Sequence, residues 1–383
     1  MTPGARIAAA IEILDIIAQG APAERALTTW ARNARFAGSK DRAAIRDHVF
    51  DALRAKRSLG DGDGRSLMVQ LALREGWDVD ALFNGEGHAP AAVEAHERHA
   101  FAPTTEAARC DVPEWLWPLW VESLGDKAKA AAIAQQNRAS VFLRVNLRRA
   151  SRDEAAAALA SDGIGTKVHP FVATCLQVTD NPRQVKQSNA FRDGVVELQD
   201  AASQWAVAQV PFNSATRILD FCAGGGGKAL AFADLTIAEI YAHDIAPQRL
   251  VDLPARAERA GVIVTQVATN QLKDHAPFDI VFCDAPCSGS GTWRRTPDAK
   301  WRLDQTRLDD LIQSQGEVLE AAAPLVSDDG LLVYATCSVL SAENHAAVQR
   351  FTARFPGWRV ETSLQRIPDA DGDGFFMAVL AKQ

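Results

Sequence analysis

From about residue 203 onward, apolar runs of strand length alternate with amphipathic runs of helix length, and nothing else in the chain limits its fold so tightly. The candidate strands are Arg217–Phe221, Ile240–His243, Val262–Ala268, Phe278–Cys283, Leu331–Ala335 and Phe375–Ala381. Helices fit near 228–234, 246–260, 304–324 and 341–354. Such alternation predicts an α/β fold with a doubly wound sheet and helices on both faces. Sheets of this kind bind ligands beyond the carboxyl ends of their strands. The segments that follow the strands are therefore where chemistry is expected.

The first of these is Cys222-Ala223-Gly224-Gly225-Gly226-Gly227-Lys228. Its glycines let the backbone come close to a ligand. A phosphate loop would need Gly at 222 and Ser or Thr at 229, and the chain has Cys222 and Ala229, which disfavours a nucleoside triphosphate. Asp244 ends the next strand, 17 residues after Gly227. An acid there can accept from ribose hydroxyls, or it can cap the helix that follows. Asp220, beside the glycines, is within reach of the same ligand. NAD and S-adenosyl-L-methionine both suit this plan. The fingerprint G-x-G-x-x-G is not met, because no glycine follows Gly227 in the helix.

The other two segments carry thiols. Phe278–Phe282 leads into Asp284-Ala285-Pro286-Cys287-Ser288-Gly289-Ser290-Gly291, and Leu331–Tyr334 leads to Cys337. The remaining cysteines are 110, 175, 222 and 283; none of the six forms a CxxC pair and no histidine cluster accompanies them, so no metal site is expected. A thiolate beside an adenosyl cofactor suits one chemistry well. Carbon 5 of a pyrimidine is a poor nucleophile, but a thiolate added at carbon 6 makes it enamine-like. A base must then remove the proton from carbon 5, and an acid near nitrogen 3, such as Asp284, stabilises the adduct. Two thiols and a carboxylate fit this better than hydride transfer. Spacing alone leaves open which thiol attacks.

Residues 1–136 read as mostly helical: Ile7, Ile11, Leu14 and Ile17 share one face, and Ile45, Val49 and Leu53 another. The third helix carries Arg42, Arg46, Arg54, Lys56 and Arg57, either a solvated face or a phosphate-binding one. Residues 137–200 read as a small α+β module and 201–383 as the α/β domain. Net charge is −7, but residues 1–65 hold 11 Lys/Arg against 8 Asp/Glu. A local basic face can bind phosphate on an acidic protein. No apolar run reaches the roughly 18 residues that would span a bilayer. A cytoplasmic monomer without membrane attachment is expected.

Three stretches, DFCAGGGGKAL (220–230), DAPCSGSGTWRRTPDAKW (284–301) and YATCSVLSAEN (334–344), resemble the Sun family of RNA cytosine-5 methyltransferases, especially its RsmB-like ribosomal RNA members. FRDGVVELQDAASQ (191–204), DGDGFFMAVLAK (371–382) and GSKDRAAIRDHVFDALR (38–54) agree, the last resembling the family's helical NusB-like domain. The resemblance implies a Rossmann-like methyltransferase domain with S-adenosyl-L-methionine as cofactor and RNA as partner, ribosomal RNA before transfer RNA. It implies Cys337 as nucleophile, Cys287 as the group that assists proton removal and release, and Asp284 and Lys228 as contacts to the cytosine. Cys222, Ala223, Gly224, Gly225, Gly226, Gly227, Lys228, Asp244, Asn270 and Asp284 would line the cofactor site. The chain departs from the family's Cys-Ala-Ala-Pro-Gly-Gly-Lys-Thr loop at Gly224, Gly225 and Ala229, and it has Asn270 where an acid is usual. Those departures keep a non-catalytic RNA-binding assembly factor as the alternative. Arg294, Arg295 and the arginine-bearing helix at 40–57 would supply phosphate contacts.

Overall fold

The computed structural model describes residues 1–212 and 215–383. The chain forms two compact units, Met1–Arg138 with Thr292–Asp304, and Ala139–Gly291 with Gln305–Gln383.

The first unit is built on helices Pro3–Ala18, Ala23–Asn33, Ser39–Arg54 and Gly64–Arg74. Ile7, Ile13, Leu14, Ile45, Val49, Leu53, Met68 and Leu71 meet in its core. Thr2 and Asp63 cap the first and fourth helices, accepting from the amides of Ala5 and Ser66. Each cap is worth about 1 kcal/mol. Helix does not continue to residue 136 as expected. After Arg74 only short helices occur, Trp117–Leu124 and Ala128–Ala134 among them. Gly85, Gly87, Pro90 and Pro103 interrupt the chain between, since none of them favours a helix interior.

Thr292–Asp304, the tail of the longest motif, belongs to this helical unit. Trp293 stacks on Trp120 with ring centroids 5.7 Å apart. Trp301 Nε1 donates to the Leu53 carbonyl at 2.7 Å, and Arg54 Nε to the Arg294 carbonyl at 2.8 Å. Asp298 accepts from the Ala23 amide at a helix start. Arg54 and Arg294 are buried, so neither is placed to meet phosphate, contrary to the expectation for both. Packing has claimed them. Arg46, Lys56 and Arg57 are also engaged, with Glu24, Asp61 and Glu114.

In the second unit, β1 (Val141–Val145), β2 (Thr166–Val168), β3 (Cys175–Val178) and β4 (Val196–Leu198) form an antiparallel sheet in the order β2-β3-β1-β4. Leu143, Val145, Leu159 and Leu176 pack beneath it. The larger sheet holds β5 (Arg217–Asp220), β6 (Glu239–Ala242), β7 (Thr265–Gln266), β8 (Phe278–Asp284), β9 (Val326–Thr336), β10 (Trp358–Arg366) and β11 (Phe375–Lys382). Their order is β10-β11-β9-β8-β5-β6-β7, parallel from β9 to β7 and antiparallel from β9 to β10. Side chains of β8 alternate faces: Ile280 and Phe282 join one core, Val281 and Cys283 the other. Helix Gly227–Leu235 covers the first face, and Gln305–Ala322 with His345–Arg354 the second.

Two edges differ from the sequence reading. Strand β10 was not expected, because Arg359, Glu361 and Thr362 give it no apolar run; an edge strand needs apolar residues on few positions. The expected strand over 262–268 shrinks to the two residues of β7, which pairs on one side alone. Strand order reverses direction between β5 and β8, and crevices for ligands open at such a switch point.

Candidate active site

Strands β5, β6, β8 and β9 run parallel, so their carboxyl ends deliver four loops to one edge. Cys222–Lys228 follows β5, and Gly226, at φ 78°, turns the chain into helix Gly227–Leu235. A β-carbon there would meet Leu253 at 2.3 Å, so both conformation and space select glycine. Gly224 sits at φ 53°. Asp244, beyond β6, accepts from the Gly224 amide at 2.8 Å and the Ala246 amide at 2.9 Å, and pairs with Arg249 at 3.0 Å. It is thus both a turn cap and the anchor of the glycine loop. Asp220 Oδ2 accepts from the Ala229 amide at 3.0 Å.

Beyond β8 and β9 stand the thiols. Cys287 and Cys337 bring their Sγ atoms to 3.4 Å. The Cys287 thiol is pushed well above its ordinary pKa by its hydrogen bond with Cys337, then by burial and by charge on Cys337 and Glu343. Lys228 reaches across from the glycine-loop helix, and its Nζ lies 2.6 Å from Asp284 Oδ2. Burial opposes the ammonium, but the adjacent Asp284 charge and hydrogen bond prevail and its pKa is raised. Lys228 is an ammonium here. Cys222 is pushed up by burial and by nearby Asp220, and Cys283 lies in the core, also pushed up by burial. Neither is poised for attack.

A cavity of about 1160 Å³ runs along this edge, lined by His243, Asp244, Leu272, Val318, Asp284, Cys287 and Cys337 among others. A smaller one of about 190 Å³ is lined by Gln199, Ser203, Asp220, Cys222, Lys228 and Asp284. Asp220 Oδ1 and Gln199 Oε1 are buried without a hydrogen-bond partner. Burial, more than the Lys228 ammonium offsets, raises the Asp220 pKa to about 7. Two orphaned acceptors call for a ligand that carries N–H donors, and the apolar wall of the larger cavity suits a flat ring. The amino group and adenine of S-adenosyl-L-methionine fit both.

The structure thus brings Cys222, Lys228, Asp244, Asp284, Cys287 and Cys337 to the two cavities, and Ala223 and Gly227 line the smaller. Asn270 does not line either; it is exposed, next to Thr269, which lines the larger and binds His243 Nε2 at 2.9 Å. His243, Gln199 and Glu343 were not singled out by sequence reasoning. Each sits inside or next to a motif that was, and that proximity was the signal available. Among the described residues no cluster of three or more His, Cys, Asp or Glu is arranged for a metal, and no helix is long and apolar enough to cross a membrane.

The family "16S rRNA methyltransferase RsmB/F" matches residues 208–381, and the RsmF/B-like ferredoxin-like domain matches residues 112–186. Fold, site and these matches define the class: an S-adenosyl-L-methionine-dependent methyltransferase with a Rossmann-like sheet. The ribosomal RNA small subunit methyltransferase B of Cronobacter sakazakii is 32% identical over 288 residues, covering 70% of this chain and 67% of that protein. Its counterpart in Citrobacter koseri is 33% identical over 293 residues, covering 73% and 68%. The chain belongs to this ribosomal RNA methyltransferase B family. The crystal structure of PH0851 shares its fold, with a TM-score of 0.78, 22% identity, and coverage of 100% of this chain and 99% of that one.

Proposed function

We propose that the chain forms 5-methylcytosine in RNA, in small-subunit ribosomal RNA first of all, through a covalent adduct between Cys337 and carbon 6 of the base. The observation that carries this reading is the pair of sulfurs at 3.4 Å beside the Lys228–Asp284 ion pair. The names of the relatives support ribosomal RNA as substrate.

Cys337 attacks as thiolate: a C6–S bond forms and the ring electrons move toward carbon 5. The Lys228 ammonium, held by Asp284 at 2.6 Å, offsets the negative charge that builds at nitrogen 3. S-adenosyl-L-methionine would supply an electrophilic methyl group and would be held by the Cys222–Lys228 loop, Asp220, Asp244 and Asp284. Cys287 then acts. Once the C6–S bond has formed, the Cys337 sulfur is a thioether, its hydrogen bond with Cys287 ends, and Cys287 gives its proton to solvent. The Cys287 thiolate takes the proton from carbon 5, the C5–C6 double bond re-forms, and the C6–S bond breaks to return Cys337 as thiolate.

A target base must leave its stack to reach these sulfurs, which costs a few kcal/mol and least in single-stranded RNA. Bisulfite sequencing of total RNA from cells with and without the gene tests the reading. One cytosine in small-subunit ribosomal RNA should lose its protection in the deletion. A protected cytosine lost from transfer RNA would move the same chemistry to that substrate. No change in any RNA would favour the assembly-factor alternative.

A further inference from the structure

The loop after β8 and the loop after β9 are separate in sequence, yet one carboxylate holds them together. Glu343 is fully buried. Its Oε1 accepts from the Ser288 amide at 2.8 Å and from Gln315 Nε2 at 3.1 Å. Its Oε2 accepts from the hydroxyls of Ser288 and Ser338, both at 2.5 Å. Ser288 follows Cys287 and Ser338 follows Cys337, so the residue after each thiol is tied to the same carboxylate. Gln315, from helix Gln305–Ala322, also donates to the Pro286 carbonyl at 3.0 Å, just before Cys287. The Glu343 backbone is fixed in turn, its carbonyl accepting from Tyr334 Oη at 2.6 Å. The Ser290 and Ser338 hydroxyls meet at 2.8 Å, and the Gly291 amide donates to the Cys337 carbonyl at 2.9 Å.

A carboxylate buried without a cation is costly unless hydrogen bonds replace its water. Glu343 forms no ion pair among the described residues; its compensation is the set of donors from the two thiol loops and Gln315. An ionised carboxylate only accepts, so one group can take donors from two loops at once. Glu343 lines neither of the two cavities at the site. It can act on the site through the residues it binds, Ser288, Ser338 and Gln315.

We infer that Glu343 is a positioning residue for the methyl-transfer reaction: it clamps the two thiol-bearing loops so that Cys287 and Cys337 stay in contact. This rests on the proposed roles of the two thiols. A sulfur displaced by about 1 Å costs on the order of 100-fold in rate. The charge on Glu343 also adds to what keeps Cys287 protonated, after the Cys337 bond, burial and the Cys337 charge.

The test uses the full chain and the variants Glu343→Ala and Glu343→Gln, the second keeping volume and one acceptor oxygen. The direct readout is the rate at which diamide links Cys287 to Cys337, mapped by mass spectrometry. The two thiols give up two protons and two electrons, the diazene takes both, and an S–S bond forms. Beside it run single-turnover methyl transfer to RNA, S-adenosyl-L-methionine affinity by calorimetry, and a melting curve to confirm folding. In Glu343→Ala, cross-linking should slow by about 10-fold and methyl transfer by about 100-fold, with cofactor affinity within about twofold, and Glu343→Gln should fall between. Cross-linking at the wild-type rate in either folded variant would overturn the clamp, whatever happens to activity. Cys337→Ala, measured alongside, tests the thiol roles separately: methyl transfer retained there would sink the proposed nucleophile and leave the cross-linking result to be judged by itself.

Discussion

The glycine loop and the thiol loops leave the same sheet edge but are held in different ways. The glycine loop is anchored by Asp244 on the Gly224 amide and Asp220 on the Ala229 amide, and Arg256 and Gln199 donate to the Gly225 and Gly227 carbonyls. Between those anchors it has four glycines in a row, and two acceptors beside it lack partners. The thiol loops are laced to each other through Glu343, Ser290 and Ser338, with Gln315 behind them. One region leaves the Asp220 and Gln199 acceptors for a ligand; the other satisfies the Glu343 carboxylate and the residue after each thiol from within, and leaves Gln315 Oε1 as a buried acceptor without a partner. Bond-making groups need a fixed mutual distance, whereas a cofactor can order the backbone that grips it. It is also the glycine loop that departs from the family pattern, at Gly224, Gly225 and Ala229. The thiol motifs match it.

The largest effect expected is on the rigid side. Cys337→Ala should reduce methyl transfer by about 10,000-fold or more while leaving cofactor affinity unchanged, since it removes the proposed nucleophile and no loop anchor. Calorimetry and a single-turnover assay together check both halves. On the adaptable side, Asp244→Ala strips the Gly224 and Ala246 amides of their acceptor. Cofactor affinity should weaken by about 10-fold, the equivalent of one lost buried hydrogen bond, with cross-linking of the thiols unaffected. An equal loss in cross-linking would erase the distinction between the regions.

Asp220 gives a pH signature. Its pKa is raised to about 7, so the ligand-free protein binds more protons than the unfolded chain between about pH 4 and pH 7. Stability from this group is fully present at the low end and lost as pH rises through about 7. Asp220→Asn should flatten that slope in urea titrations. A cationic amine binding beside Asp220 would also ionise it. Calorimetry at pH 6 in buffers of different ionisation heat should then show proton release that Asp220→Asn lacks. The smallest effect is at Gly224. A β-carbon at φ 53° costs about 1 kcal/mol and would meet Arg249, so Gly224→Ala should weaken the cofactor by about fivefold.

The central strands of the large sheet were legible because a strand buried on both faces must be apolar at nearly every position, as Phe278–Cys283 is. Strand β10 was not, because an edge strand carries Arg359 and Glu361 without cost. The site was legible as loops: strand ends, glycines and thiols mark it. What the sequence could not supply was partnership. Nothing in Arg294 distinguishes a phosphate contact from a side chain buried in the helical unit, and the basic look of Arg46 conceals its pairing with Glu24. Glu343 was in plain view within YATCSVLSAEN, but its role depends on Ser288 and Gln315, which lie 55 and 28 residues away. The orphaned atoms of Asp220 and Gln199 likewise exist only in three dimensions.

The division of labour between the two sulfurs is tested most directly by trapping. Cys287→Ala protein, incubated with unmodified ribosomal RNA and S-adenosyl-L-methionine, should accumulate a protein–RNA adduct stable to denaturing electrophoresis. After nuclease and protease digestion, the nucleotide should be found on the peptide that contains Cys337. The absence of an adduct from active, folded protein, or its attachment to any other residue, would contradict the account.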